Sequence, residues 1–96
     1  MNPTENSTRV VIAEDSVLLR TGLVRLLADS GFDVVAAVGD GDEMITAVER
    51  LLPDIVVADV RMPPSFTDEG IRASLAVRSA WPTVSILVLS QYVEQQ

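Results

Sequence analysis

Four short runs of β-branched and aliphatic residues, separated by segments with helical spacing, constrain this 96-residue chain more than any other feature. Residues 10–13, 32–38, 55–58 and 84–89 are almost wholly apolar instead of alternating, the pattern of strands covered on both faces. Between the first two runs, Leu19, Leu23, Leu26 and Leu27 recur at one face of a helix, with Ser16 as its N-cap and Gly31 as its stop. Gly39-Asp40-Gly41 breaks the second run, and Asp42 is read as the cap of a helix carrying Met44, Val48, Leu51 and Leu52. Pro53 ends that helix. A Pro-rich loop over 59–66 precedes a third helix, opened by Thr67-Asp68-Glu69, carrying Ile71 and Leu75 and closed by Trp81-Pro82. The order is β-α-β-α-β-α-β, so crossover helices return each strand to a parallel sheet in an α/β fold. Residues 1–8 form a loose polar tail, and residues 9–96 form the domain.

In an open parallel sheet, ligands bind beyond the carboxyl ends of the strands. Those ends carry Glu14-Asp15 after the first run, Asp59 after the third and Ser90 after the fourth, while the second strand lies to the side. Composition then narrows the chemistry. The chain has no His and no Cys, and all seven basic residues are Arg. Imidazole catalysis, thiol nucleophiles and His- or thiolate-bound metals are therefore excluded. Three carboxylates on one rim repel one another and call for a cation, and an all-oxygen set suits Mg²⁺. Asp59 is placed to attack phosphorus and form an acyl phosphate, with Glu14 and Asp15 holding the metal and Ser90 donating to a phosphoryl oxygen.

Taken singly, each of these residues has a plainer reading. Glu14-Asp15 suits a helix start, Asp59 a turn before prolines, and Ser90 a cap. Their conjunction at three strand ends favours a site. Other motifs fail: Met44 breaks the dinucleotide fingerprint begun by Gly39-Asp40-Gly41, and without Lys there is no P-loop. Met62 and Trp81 are read as packing residues, and the arginines other than Arg61 as solvated helix-face residues. A net charge of −7 argues against binding a nucleic-acid backbone. The apolar runs are too short to cross a membrane, and the polar start has no signal-peptide core, so the cytoplasm is the default location.

Glu14-Asp15, Asp59-Val60-Arg61-Met62-Pro63-Pro64, Thr67-Asp68-Glu69-Gly70 and Leu87-Val88-Leu89-Ser90, in that order, resemble a bacterial response-regulator receiver (CheY-like) domain, most closely the NarL/FixJ-type branch. The resemblance implies a flavodoxin-like sheet in the order 2-1-3-4 with three helices. It also implies phosphorylation of Asp59 by a sensor histidine kinase, with Mg²⁺ held by Glu14, Asp15, Asp59 and the backbone carbonyl of Arg61. Ser90 corresponds to the hydroxyl that turns toward the phosphoryl group, and Gln91 stands where a smaller residue is common and narrows access. Members of this branch usually carry a helix-turn-helix output domain, so the parent is expected to regulate transcription.

The family's fourth helix onward, with the fifth strand, its active-site lysine and its aromatic switch residue, has no counterpart here. The expectation is weak Mg²⁺ binding and poor phosphorylation, since a phosphoryl group beside three carboxylates lacks one compensating cation. Bare apolar surface on the first helix and at the edge of the fourth strand leads to an expected homo-oligomer. Two other classes compete. One is a receiver-like interaction and dimerisation module that no longer accepts phosphate. The other is a Mg²⁺-dependent phosphohydrolase, which usually has a second Asp where this chain has Arg61.

Overall fold

The structure, a computed structural model, describes residues 7–63 and 68–89. Seven elements follow one another: β1 (Arg9–Ala13), α1 (Val17–Asp29), β2 (Asp33–Val38), α2 (Gly41–Leu51), β3 (Ile55–Asp59), α3 (Glu69–Ala80) and β4 (Ser85–Leu89). The strands form one parallel sheet in the order β2-β1-β3-β4. Thr67, Ser90 and Gln91 lie outside the described residues, as does the tail up to residue 6. Contact with the domain is already present at Thr8, whose carbonyl accepts from the Asp33 amide at 2.9 Å.

Strand parity divides the interior. Val11, Ala13, Val56 and Ala58 face α2 and α3, where Met44, Val48, Met62, Ala73 and Val77 close a continuous core. Val10, Ile12 and Val57 face the other way, against Leu23, Val24 and Leu27 of α1. Met62 is fully buried and Trp81 packs on the core edge, so both are packing residues.

Several local expectations change. The cap of α2 is Asp40, not Asp42: its carboxylate accepts from the Glu43 amide at 2.8 Å, and Asp42 lies in the first turn. Extended backbone at Asp40 suits a cap, and two acids then follow in the turn where they complement the helix dipole. Leu19 and Leu26 do not share the buried stripe of α1; Leu23 and Leu27 do, with Val24. No residue of α1 is fully buried, because a single helix covers this side of the sheet among the described residues. Ile71 and Leu75 are likewise exposed, since α3 turns its small residues Gly70, Ala73 and Ser74 inward with Val77. The long runs of β4 mislead in the same way: its pairing with β3 alone makes it an edge, with Leu87 half exposed.

Both expected ends of α1 hold. Ser16 caps α1, its hydroxyl accepting from the Leu19 amide at 3.3 Å, and Gly31 follows the helix at φ 97°, a conformation glycine adopts without strain. Leu52, with φ 45°, closes α2 in the same left-handed region.

Candidate functional site

β1 and β3 are neighbours at the centre of the sheet, in register from Val10 opposite Ile55 to Ala13 opposite Ala58. One step further along each chain stand Glu14 and Asp59, side by side at the carboxyl edge. Both are almost fully buried, 4% and 5% exposed, which is rare for carboxylates outside a functional or paired setting. Their surroundings explain how they are held there. The Glu14 amide donates to Val38 of β2 at 2.9 Å, and its Oε2 accepts from the Ser16 amide at 2.9 Å. The Asp59 carboxylate accepts from the amides of Val60 and Arg61.

Burial raises the pKa of both groups above the ordinary carboxylate value. For Glu14 the loss of hydration dominates, the Ser16 amide opposes it, and the charges of Asp59 and Asp15 add to it. For Asp59 the loss of hydration again dominates, opposed by the two amides and the Arg61 guanidinium and reinforced by Asp15. Asp15 itself is exposed, just past the strand end, near enough for its charge to reach both neighbours. The expected trio of carboxylates is therefore a buried pair with a third acid beside it. Among the described residues no group of three acids is drawn together tightly enough to enclose an ion. Two carboxylates and water still form a fitting donor set for a hard divalent cation, whose charge would offset both the lost hydration and the smaller repulsion that raise the two pKa values. Arg61 is exposed beside the pair, and Ser90 lies outside the described residues.

Two residues that hold this edge together were given no such role from the sequence. Gly70, at the start of α3, lies directly on the end of β3: a Cβ there would overlap the carbonyl oxygen of Asp59 and stand 2.7 Å from its carbonyl carbon. Its amide donates to Val60 at 2.8 Å. The signal available was a glycine inside the first helical turn, where glycine has no capping use. Arg20, grouped with solvated arginines, instead donates from Nη1 to the Glu14 carbonyl at 3.0 Å. Arg9 departs from that group too, donating to the Leu51 carbonyl at 2.6 Å and the Leu52 carbonyl at 3.1 Å at the end of α2.

A parallel sheet in the order 2-1-3-4 with three helices matches the fold of a two-component receiver. The response regulator receiver domain profile matches residues 10–96, and the chain belongs to that family. Within it, the chain is similar to the NarL type. It is 35% identical over 94 residues to the probable transcriptional regulatory protein NarL of Mycobacterium tuberculosis, covering 97% of this chain and 42% of that protein. The receiver domain of the response regulator NarL from the same organism superposes with a TM-score of 0.82 at 35% identity, covering 92% of this chain and 69% of that one. A protein-glutamate methylesterase/protein-glutamine glutaminase of Haloarcula marismortui is 37% identical over 90 residues, 94% of this chain but 23% of that protein. The chain thus spans less than half the length of these curated relatives. No helix among the described residues is long and apolar enough to cross a membrane.

Proposed function

We propose that this chain is a phosphoacceptor module in which Asp59 receives a phosphoryl group from a sensor histidine kinase. The observation that carries the reading is the buried pair of Glu14 and Asp59 at adjacent central strand ends, each carboxyl raised in pKa by burial and by neighbouring negative charge. Membership in the receiver family supports it.

A carboxylate oxygen of Asp59 attacks phosphorus, the P–N bond to the donor imidazole breaks, and the product is an acyl phosphate on Asp59. Glu14 and Asp15, with Asp59 and the Arg61 carbonyl, would hold Mg²⁺, which supplies the charge neutralisation that transfer to an anionic edge requires. The amides of Val60 and Arg61 orient the Asp59 carboxylate, and burial of the pair excludes water from its inner side. Ser90 would donate to the transferred group. NarL-type relatives support a parent protein that regulates transcription through a segment beyond this one.

Intact mass after incubation with acetyl phosphate and Mg²⁺ tests the reading. One added phosphoryl group on the wild type and none on Asp59→Asn is the expected result. Equal addition to both would move the acceptor elsewhere, and no addition to either would remove the phosphoacceptor role from this chain.

A second reading rests on a different observation. Leu18 is 82% exposed on α1, and Leu87 is 50% exposed on the edge strand β4. These apolar surfaces support self-association through the α1 face or the β4 edge, with the domain serving as an interaction module whether or not Asp59 is modified.

A further inference from the structure

We propose that Arg20 is a positioning residue for the acidic turn between β1 and α1. Its guanidinium donates to the Glu14 carbonyl and lies over Gly39 in the turn between β2 and α2, and so holds Glu14 and Asp15 in place beside Asp59. The strap is a matter of geometry; its use in cation binding rests on the phosphoacceptor reading.

Three hydrogen bonds fasten this turn. The Glu14 amide is tied to Val38 at 2.9 Å, the Ser16 amide to Glu14 Oε2 at 2.9 Å, and the Glu14 carbonyl to Arg20 Nη1 at 3.0 Å. The second uses an oxygen of the very carboxylate that would serve a cation, so a bound ion competes with it. The third leaves both carboxylate oxygens available. It is also charge-assisted and partly buried, which makes it stronger than a neutral pair. The helix that follows the turn, α1, contributes no fully buried residue, so polar contacts weigh heavily in holding it. Arg20 sits where it can reach back: its amide donates to the Ser16 carbonyl at 2.8 Å, closing the first turn of α1.

Gly39 supplies a second, independent observation. A Cβ built there would lie 2.9 Å from Arg20 Nη1, so the guanidinium occupies the space that any side chain at 39 would need. The backbone does not demand glycine, since Gly31 is the glycine with positive φ among the described residues. Gly39 is further fastened through its amide to Glu43 Oε1 at 2.9 Å. The absent side chain at 39 and the reaching arginine at 20 are two halves of one contact across the edge of the sheet.

This gives two unrelated substitutions with one expected effect. Arg20→Ala removes the donor, and Gly39→Ala pushes the flexible end of Arg20 away without altering it. In the metal-free chain, hydrogen exchange at the Ser16 amide should quicken about tenfold in each, the scale of one charge-assisted hydrogen bond. The double variant should be no faster than Arg20→Ala alone, because the same contact is broken twice. Arg20→Lys, which keeps a cationic donor, should restore most of the protection. Exchange at the Val84 amide, bonded to the Trp81 carbonyl at the far end of α3, should not change. Calorimetric titration with MgCl₂ should give a midpoint about tenfold higher in both single variants.

Unchanged Ser16 exchange in Arg20→Ala and Gly39→Ala overturns the strap, as does an additive double variant. Faster Ser16 exchange with an unmoved Mg²⁺ midpoint overturns its role toward the cation. A wild type that takes up no Mg²⁺ counts against the phosphoacceptor reading, and Ser16 exchange still decides the strap by itself.

Discussion

Replacing Gly70 with alanine tests how closely α3 is seated on the acceptor strand. The added Cβ would overlap the Asp59 carbonyl oxygen and lie 2.7 Å from its carbon and 3.0 Å from Val60 Cα. Ordinary carbon–carbon contact is about 3.5–4.0 Å, and the overlap with the carbonyl oxygen is deeper still, so the first turn of α3 must retreat by more than about 1 Å. All three obstructing atoms belong to the backbone and cannot rotate aside. Overpacking of this kind costs about 1–3 kcal/mol, with the upper end expected against backbone. Loss of the 2.8 Å bond from the Gly70 amide to Val60 adds about 1 kcal/mol. Alanine returns about 1 kcal/mol through its better helix propensity. The net destabilisation is about 2–3 kcal/mol, a fall in Tm of roughly 10–20 °C for a domain of this size. Urea unfolding followed by far-ultraviolet circular dichroism measures it. Gly22→Ala is the control: it makes the same change inside α1 with nothing within 4 Å, and should stabilise by about 0.5–1 kcal/mol. Equal stability of Gly70→Ala and wild type, with Gly22→Ala behaving as stated, would refute the close seating of α3 on Asp59.

Asp59→Asn should stabilise the metal-free domain at pH 7. A carboxyl whose folded pKa is raised favours folding below its unfolded value and loses that contribution as pH rises through the folded value, so the advantage of the neutral amide should vanish below about pH 4 in urea titrations across pH. Arg9→Ala should cost about 1–2 kcal/mol by freeing the carbonyls of Leu51 and Leu52 at the end of α2, measured by the same unfolding assay; a change under about 0.5 kcal/mol would mean that water replaces the cap. Leu18→Lys should leave Tm within about 2 °C, because a side chain 82% exposed contributes little packing, while lowering any concentration-dependent mass seen by light scattering; unaltered association would shift the contact from α1 to the β4 edge.

The architecture was legible because buried parallel strands leave continuous apolar runs, and residues 10–13 and 55–58 became the two central strands with their acids at the carboxyl ends. Helix faces were less legible. Leucine spacing assigned Leu19, Leu23, Leu26 and Leu27 to one inner face, yet only Leu23 and Leu27 of these, joined by Val24, pack against the sheet. On α3 the large residues Ile71 and Leu75 drew attention while small ones did the packing, because seating a helix close to a strand end requires Gly70 and Ala73 in place of bulk. The acidic pair was visible as residue types at strand ends. Their burial and mutual repulsion depend on strand order, which adjacency in sequence does not display. Arg20 was invisible for a related reason: a guanidinium's partner is chosen by where its long stem ends, and nothing local distinguishes it from Arg25 one face away.

The two sides of the sheet are unequal. Among the described residues, eleven buried ones form the core shared with α2 and α3, and three the core shared with α1. Local opening follows buried apolar area, so α1 is expected to open more readily than α2 or α3. The acidic turn leads into that less deeply packed helix. Whatever neutralises Glu14 and Asp15 therefore acts at the start of α1, and its expected first effect is to stiffen it. In this domain a change of charge at the edge of the sheet becomes a change of order along a helix, readable as a rise in the order parameters of the α1 amides with the strands left where they were.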